Sequence, residues 1–255
     1  MKRVRWHALA ATLACVAFGI AAPGAAADPG NAPPTLSFFS GGDGAQAHWL
    51  RTADQPPGDT DGQAIQLQTT NDAPTFDKGY AGILVHHVTG IPAAAFPDSA
   101  FWTKTPCPYS GNTVGSPRLV VEFQTATGQF DGYADLRENA RNCDDWEQVS
   151  DAEFGPNTTF GAYPNSAWDV MGGPCAFRYN VQWSNVQACF SADTVLTVFL
   201  VADPYGINHL IDDITVDGKR FSSASDNGAG NNTAAGPTAT TDPTLLPPLL
   251  LFPPL

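Results

Sequence analysis

Thr194-Val195-Leu196-Thr197-Val198-Phe199-Leu200-Val201 decides the fold class. Whichever way alternate positions point, large apolar side chains stand on both faces of this run. It is short, rich in β-branched residues, and bounded by Asp193 before it and Asp203-Pro204 after it. Such a run reads as a strand covered on both sides, at the centre of a sheet. The same rhythm extends outward in both directions, with short runs of Val, Ile, Leu, Phe, Trp and Thr separated by Gly, Pro, Asn and Asp. The expected strands are Thr35 to Ser40, Ala47 to Arg51, Ala64 to Gln68, Tyr80 to Val88, Ala100 to Lys104, Arg118 to Thr125, Phe130 to Arg137, Trp146 to Ser150, Phe177 to Trp183, Thr194 to Val201 and Asn208 to Val216. No stretch keeps a 3.6-residue apolar period over three turns, and Ala134 to Asn142 is the candidate for a short helical turn. The expectation is an all-β domain, a β-sandwich of two antiparallel sheets over residues 35–221.

What flanks the domain sets the expected location. Lys2, Arg3 and Arg5, the apolar stretch Ala8 to Ile20, and Ala25-Ala26-Ala27 before Asp28 have the form of a secretory signal peptide over residues 1–27. A short linker, residues 28–34, follows. The Ala-rich leader suggests a bacterial source, and the mature chain is expected to be secreted, either free or associated with the cell surface. Beyond Phe221 the composition turns to Ser, Asn, Gly, Ala, Thr and Pro, ending in a run of leucines and prolines. Residues 222–255 are expected to form a disordered tail, too proline-rich for a membrane-spanning helix.

The chain carries 12 Lys+Arg against 25 Asp+Glu, a formal net charge of −13. Without the leader's three basic residues the balance is −16. A field of that sign repels phosphate backbones, which excludes nucleic acid as the expected partner. Removal of the leader also removes Cys15, leaving Cys107, Cys143, Cys175 and Cys189. An even number in an exported chain reads as two disulfides with three pairings open. Loop entropy favours the sequence neighbours, Cys107 with Cys143 and Cys175 with Cys189. Zinc is disfavoured, since no two cysteines have the close spacing of a zinc pair.

Alternation sorts the polar side chains. Leu119, Val121 and Phe123 point one way, Glu122 and Gln124 the other. Tyr133, Asp135 and Arg137 share a face, as do Arg178, Asn180 and Gln182. If these strands share a sheet, their polar faces combine carboxylates, amides, guanidinium groups and an aromatic plane, the groups that hold sugar hydroxyls and stack on pyranose rings. Trp146 and Trp168 lie in loop-like surroundings and are candidate stacking platforms, whereas Trp183 reads as core. Asp212 is placed on a face with Leu210, Ile214 and Val216, where a carboxylate needs a hydrogen bond or a cation.

Leu210-Ile211-Asp212-Asp213-Ile214-Thr215-Val216-Asp217-Gly218, with the Gly-rich acidic opening Ser40-Gly41-Gly42-Asp43-Gly44 ahead of Trp49, resembles the ends of jelly-roll carbohydrate-binding modules of the galactose-binding-like superfamily. The resemblance spans about Thr35 to Phe221. It implies a jelly roll with adjacent first and last strands and a structural calcium near them, held by Asp212 or Asp213 with Asp43 as the opening partner. It also implies a carbohydrate ligand, an extracellular polysaccharide or cell-envelope glycan.

Gly-x-Ser-x-Gly and His-Glu-x-x-His are both absent from the sequence. His86 and His87, as neighbours in a strand, point to opposite faces. Glu122 and Asp135 are the acid pair that could face one groove, as glycoside hydrolysis requires. Three function classes follow, in order of preference: a non-catalytic carbohydrate binder, a surface structural or interaction protein acting through its tail, and a glycoside hydrolase or lyase.

Overall fold

The computed structural model describes residues 33–42, 44–71, 79–106, 117–138, 144–150 and 166–227, with the backbone alone at 137, 138, 166, 167, 177, 179 and 180. The leader, Asp43, Cys107, Cys143 and residues 228–255 lie outside the described residues.

The strands in chain order are β1 (Thr35–Ser40), β2 (Gln46–Arg51), β3 (Gln63–Gln68), β4 (Ala81–His86), β5 (Ala100–Lys104), β6 (Arg118–Gln124), β7 (Phe130–Glu138), β8 (Trp146–Ser150), β9 (Ser166–Gly172), β10 (Phe177–Val181), β11 (Thr194–Ala202), β12 (Asn208–Val216) and β13 (Lys219–Phe221). A short helix, α1 (Trp183–Cys189), joins β10 to β11. One sheet has seven strands in the order β1-β4-β11-β6-β7-β9-β10. The other runs β2-β3-β12-β5-β8, with β13 added beside β12. All pairings are antiparallel, and β11 sits between β4 and β6 as β12 sits between β3 and β5. That double crossing is the jelly roll.

The opening run is central, as its two apolar faces require. In β11, Val198 and Leu200 face the core while Phe199 and Val201 pack on the outer side with Tyr80 and Val120. The core between the sheets is built from cross-strand rows. Leu36, Val85, Val198, Val121, Ala134 and Val170 form one row of the seven-stranded sheet, and Phe38, Ile83, Leu200, Leu119, Leu136 and Trp168 the next. Facing them from the second sheet are Trp49, Ile65, Leu67, Phe101, Val149 and Ile211.

Several expectations are corrected. Ala134 to Glu138 continues β7, since Ala134 and Leu136 occupy core positions two apart. The helix lies instead at Trp183–Cys189, where Trp183, Val186 and Cys189 at i, i+3 and i+6 turn inward. The strand read as Phe177 to Trp183 therefore stops at Val181, and exposed Gln182 becomes the N-cap of α1. Trp168 is no platform. It is fully buried, its ring centroid 4.5 Å from that of Trp183, and its Nε1 donates to Asp98 Oδ1 at 3.1 Å. Trp183 Nε1 donates to the Phe96 carbonyl at 2.9 Å, so both indoles bury their apolar bodies without orphaning a donor. Cys175 and Cys189 form a disulfide that ties the 3-10 turn Gly173–Cys175 to the end of α1.

The first and last strands are not paired. β1 pairs with β4 in the seven-stranded sheet, while β12 pairs with β3, β5 and β13 in the other. The ends of the fold still meet, because Lys219 Nζ donates to the Pro34 carbonyl at 2.8 Å.

Candidate functional site

Three rows of side chains cross the outer face of the seven-stranded sheet, the face away from the core. One runs Thr197, Glu122, Tyr133, Met171 across β11, β6, β7 and β9. The next runs Leu84, Phe199, Val120, Asp135, Asp169. In the third, Gly82, Val201 and Arg118 follow one another, with Arg137 opposite Arg118 in the register. At the β6–β7 end, Gln124 opposes Phe130, which at 48% exposure is the exposed large hydrophobic residue of the described chain.

This face unites Glu122, Gln124, Tyr133 and Asp135, and the register brings Arg137 to it. Asp169 stands directly across from Asp135 in the adjacent strand, a residue that sequence reasoning missed because Ser166–Gly172 was not read as a strand. Its signal was the alternation of Trp168 and Val170 around an acid.

Arg178, Asn180 and Gln182 do not join. Arg178 opposes Val170, a core-row residue, so it stands on the other side of the sheet from Glu122, exposed at the edge. The register is irregular between Arg178 and Val181, which removes Asn180 from simple alternation, and Gln182 has left the strand. Trp146 is on the opposite sheet altogether, in β8.

The electrostatics of the face follow from burial. Glu122 is 1% exposed, and neither carboxyl oxygen has a hydrogen-bond partner. Desolvation pushes its pKa up to about 7. Arg118 Nη1 donates to Asp203 Oδ2 at 2.7 Å. Burial works against the Arg118 charge, but Asp203 and Asp135 outweigh it and hold the guanidinium in its cationic form. Asp193, near the exposed end, is pushed up first by burial and then by hydrogen-bonded Asp131. Asp135 and Asp169 are buried like Glu122, so the carboxyls form the floor of this face, and Gln124, Tyr133 and Phe130 are its more accessible groups.

A separate acidic cluster lies on the outer side of β12. Asp59, Asp212 and Asp213 each offer a carboxylate oxygen, and these atoms lie within 4.8 Å of one another. Asp213 adopts φ 47°, and the β12–β5 register shifts between Asp212 and Thr215. That bulge breaks the expected alternation. Ile211 and Ile214 both face the core, so Asp212 does not share a face with Ile214 and Val216. Asp212 is nonetheless fully buried. Its backbone-facing oxygen accepts from the Asp213 N–H at 2.7 Å, whereas Oδ2 has no partner. Burial, with Asp213, Asp59 and Asp61 adding repulsion, pushes its pKa up to about 8. Arg220 of β13 caps the cluster, Nη2 lying 2.5 Å from Asp213 Oδ1 and 3.3 Å from Asp59 Oδ2.

No protein-family model matches the chain, and no curated protein does. Among solved structures, the chain is similar to the arabinose-bound MgGH51 α-L-arabinofuranosidase at 10% identity and TM-score 0.37, over 73% of this chain and 24% of that one. It therefore spans about a quarter of that enzyme. The solution structure of CtCBM11 is similar at 10% identity and TM-score 0.36, over 74% of this chain and 91% of that one. TmCBM61 in complex with β-1,4-galactotriose gives 9% identity and TM-score 0.32, over 75% and 89%. At these values the likeness decides neither ligand nor activity.

Proposed function

We propose that the protein is an exported, non-catalytic module that binds extracellular or cell-envelope carbohydrate on the outer face of its seven-stranded sheet. One observation carries the reading: the register gathers Tyr133, Asp135, Asp169 and Gln124 onto one face, with exposed Phe130 at its end. Two aromatic rings and an amide above a floor of buried carboxyls suit a sugar, whose rings have an apolar face and a rim of hydroxyls. The shielding of both Glu122 oxygens argues against hydrolysis, because a general acid must come within hydrogen-bond reach of the glycosidic oxygen.

Affinity electrophoresis and calorimetry against a panel of neutral and acidic polysaccharides test this reading. Binding that falls at least ~10-fold in Phe130→Ala and Tyr133→Ala, each melting like the parent, is the expected result, ~1.4 kcal/mol of contact energy. Absence of binding to every polysaccharide overturns it, and so does reducing-sugar release that is lost in Glu122→Gln.

Calcium is the cofactor we assign to the Asp59, Asp212 and Asp213 cluster, as a structural ion. The donor chemistry supports it: three hard oxygen donors, the Asp212 one buried without a partner, and the Asp59 and Asp213 ones paired with Arg220, which an ion would have to displace. Asp59 comes from the turn between β2 and β3, and the expected opening partner Asp43 lies outside the described residues. Millimolar calcium should raise the melting temperature by several degrees in the parent and leave Asp212→Asn unmoved. Equal shifts in both proteins would remove the ion from this cluster.

A further inference from the structure

We propose that the outer face of the six-stranded sheet is a second binding surface, for a neutral polysaccharide chain, and that the protein thereby bridges two glycan chains. This rests on the carbohydrate reading of the first face and adds a site to it.

The face is built around two indoles. Trp102 of β5 and Trp146 of β8 stand on the same outer side, because Phe101 and Thr103 turn to the core and Lys104 opposes Trp146. They are diagonal cross-strand neighbours, close enough for two rings to offer one extended platform. Both are half-buried, and β8 ends its sheet.

The Trp146 ring is fixed in place. Its Nε1 donates to Asp54 Oδ1 at 2.9 Å, and Lys104 Nζ donates to Asp54 Oδ2 at 2.7 Å. Asp54 belongs to a turn that is itself tied down: its N–H bonds to Thr52 Oγ1, while Gln55 bonds to the Gln63 carbonyl and accepts from the Gly62 N–H. A platform held this way loses little freedom when a ligand stacks on it.

Charge decides what kind of chain fits. Asp54 cancels Lys104; Trp102 lies between Gln148 on one side and the buried carboxyl of Asp212 on the other, Arg220 pairs with the neighbouring Asp59 and Asp213, and Gln66 and His48 continue the row of Lys104. Two aromatic planes flanked by amides, with Lys104 and Arg220 both already paired to carboxylates, match uncharged hexose or pentose units. They offer nothing specific to a uronic acid. The two outer faces point in opposite directions from a sandwich whose sheets pack ~10 Å apart, so one chain cannot lie on both.

Calorimetry of the full chain with cellohexaose, xylohexaose and mannohexaose measures the number of sites. Light scattering with the matching soluble polysaccharide measures bridging. The expected stoichiometry is two hexasaccharides per protein, falling to one in Trp146→Ala and, separately, to one in Phe130→Ala. Either change should abolish the rise in scattering. Asp54→Ala keeps both indoles and guards against a folding artefact; it should weaken the second site several-fold and leave the first unchanged. One site in the parent, lost in Phe130→Ala and untouched by Trp146→Ala, overturns the second surface while the proposed function stands. One site lost only in Trp146→Ala overturns bridging and moves the carbohydrate site to this face. No binding of any probe overturns both readings.

Discussion

Glu122 shows how much a single position can be read from alternation. Its placement opposite the core residues Leu119, Val121 and Phe123 was legible, because β6 keeps its period through Phe123. Its burial was not, since that depends on Thr197, Tyr133 and Val120 around it, contributed by three strands. A carboxyl whose folded pKa lies near 7 against an unfolded value near 4.5 is bound to its proton in the fold. Its stabilising effect is therefore complete below about pH 4.5 and lost as pH rises through about 7, on the order of 3 kcal/mol. Glu122→Gln should flatten this loss: urea midpoints at pH 5 and pH 8 should converge in the variant relative to the parent. Identical pH slopes would mean that Glu122 finds a partner when ionised. Thr103 makes a similar case in the core of the second sheet. It is fully buried and its hydroxyl has no partner. Replacing that hydroxyl by a methyl group of similar volume removes an unsatisfied group, so Thr103→Val should stabilise by ~1 kcal/mol in denaturant titration. A loss of stability would show that the hydroxyl is satisfied in solution.

Elements were legible where their period was clean and were missed where one face had too few large residues to show it. β9 holds Trp168 and Val170 but also Ala167 and Gly172, so its apolar half looked like loop. α1 is shorter than the three turns needed to show a helical period, and its aromatic start continues the strand pattern of β10. The bulge in β12 is a third case. Sequence gave no sign that Asp213 would take a left-handed backbone and re-aim Asp212. The β10–α1 segment also carries the Cys175–Cys189 bridge, which closes a span of 14 residues. A loop of that size limits the unfolded chain by ~3 kcal/mol. The Cys175→Ser/Cys189→Ser double variant should lose about that much in urea unfolding while keeping its far-ultraviolet spectrum. Full retention of stability would mean that packing of Trp183, Phe190 and Phe96 holds the segment without the bridge.

On the scale of the whole molecule, the jelly roll turns the Tyr133 face and the Trp102–Trp146 face in opposite directions, and the expected site divided between them because alternation assigns a face within a strand but not a sheet. Trp146 and Glu122 were grouped by chemistry; their strands fell in different layers. The domain's end is also set by contacts that composition does not reveal. The sequence boundary falls at Phe221, yet Asp226 Oδ2 accepts from the N–H groups of Ser222 and Ser223 at 2.8 and 2.9 Å and from Ser222 Oγ at 3.1 Å. The Ala224 N–H donates to Gln63 Oε1 at 3.3 Å, joining this turn to β3. Truncation after Asn227 should therefore leave the melting temperature within about a degree of the full chain. Truncation after Phe221 should cost ~1–2 kcal/mol, because it removes the hydrogen-bonded turn that follows β13 and its tie to Gln63 of β3. The pair of truncations also separates a carbohydrate binder from a protein that works through its tail. If the chain ending at Asn227 keeps its polysaccharide affinity, the sandwich carries the function; if that affinity disappears while the melting temperature is unchanged, the Leu/Pro-rich terminus carries it.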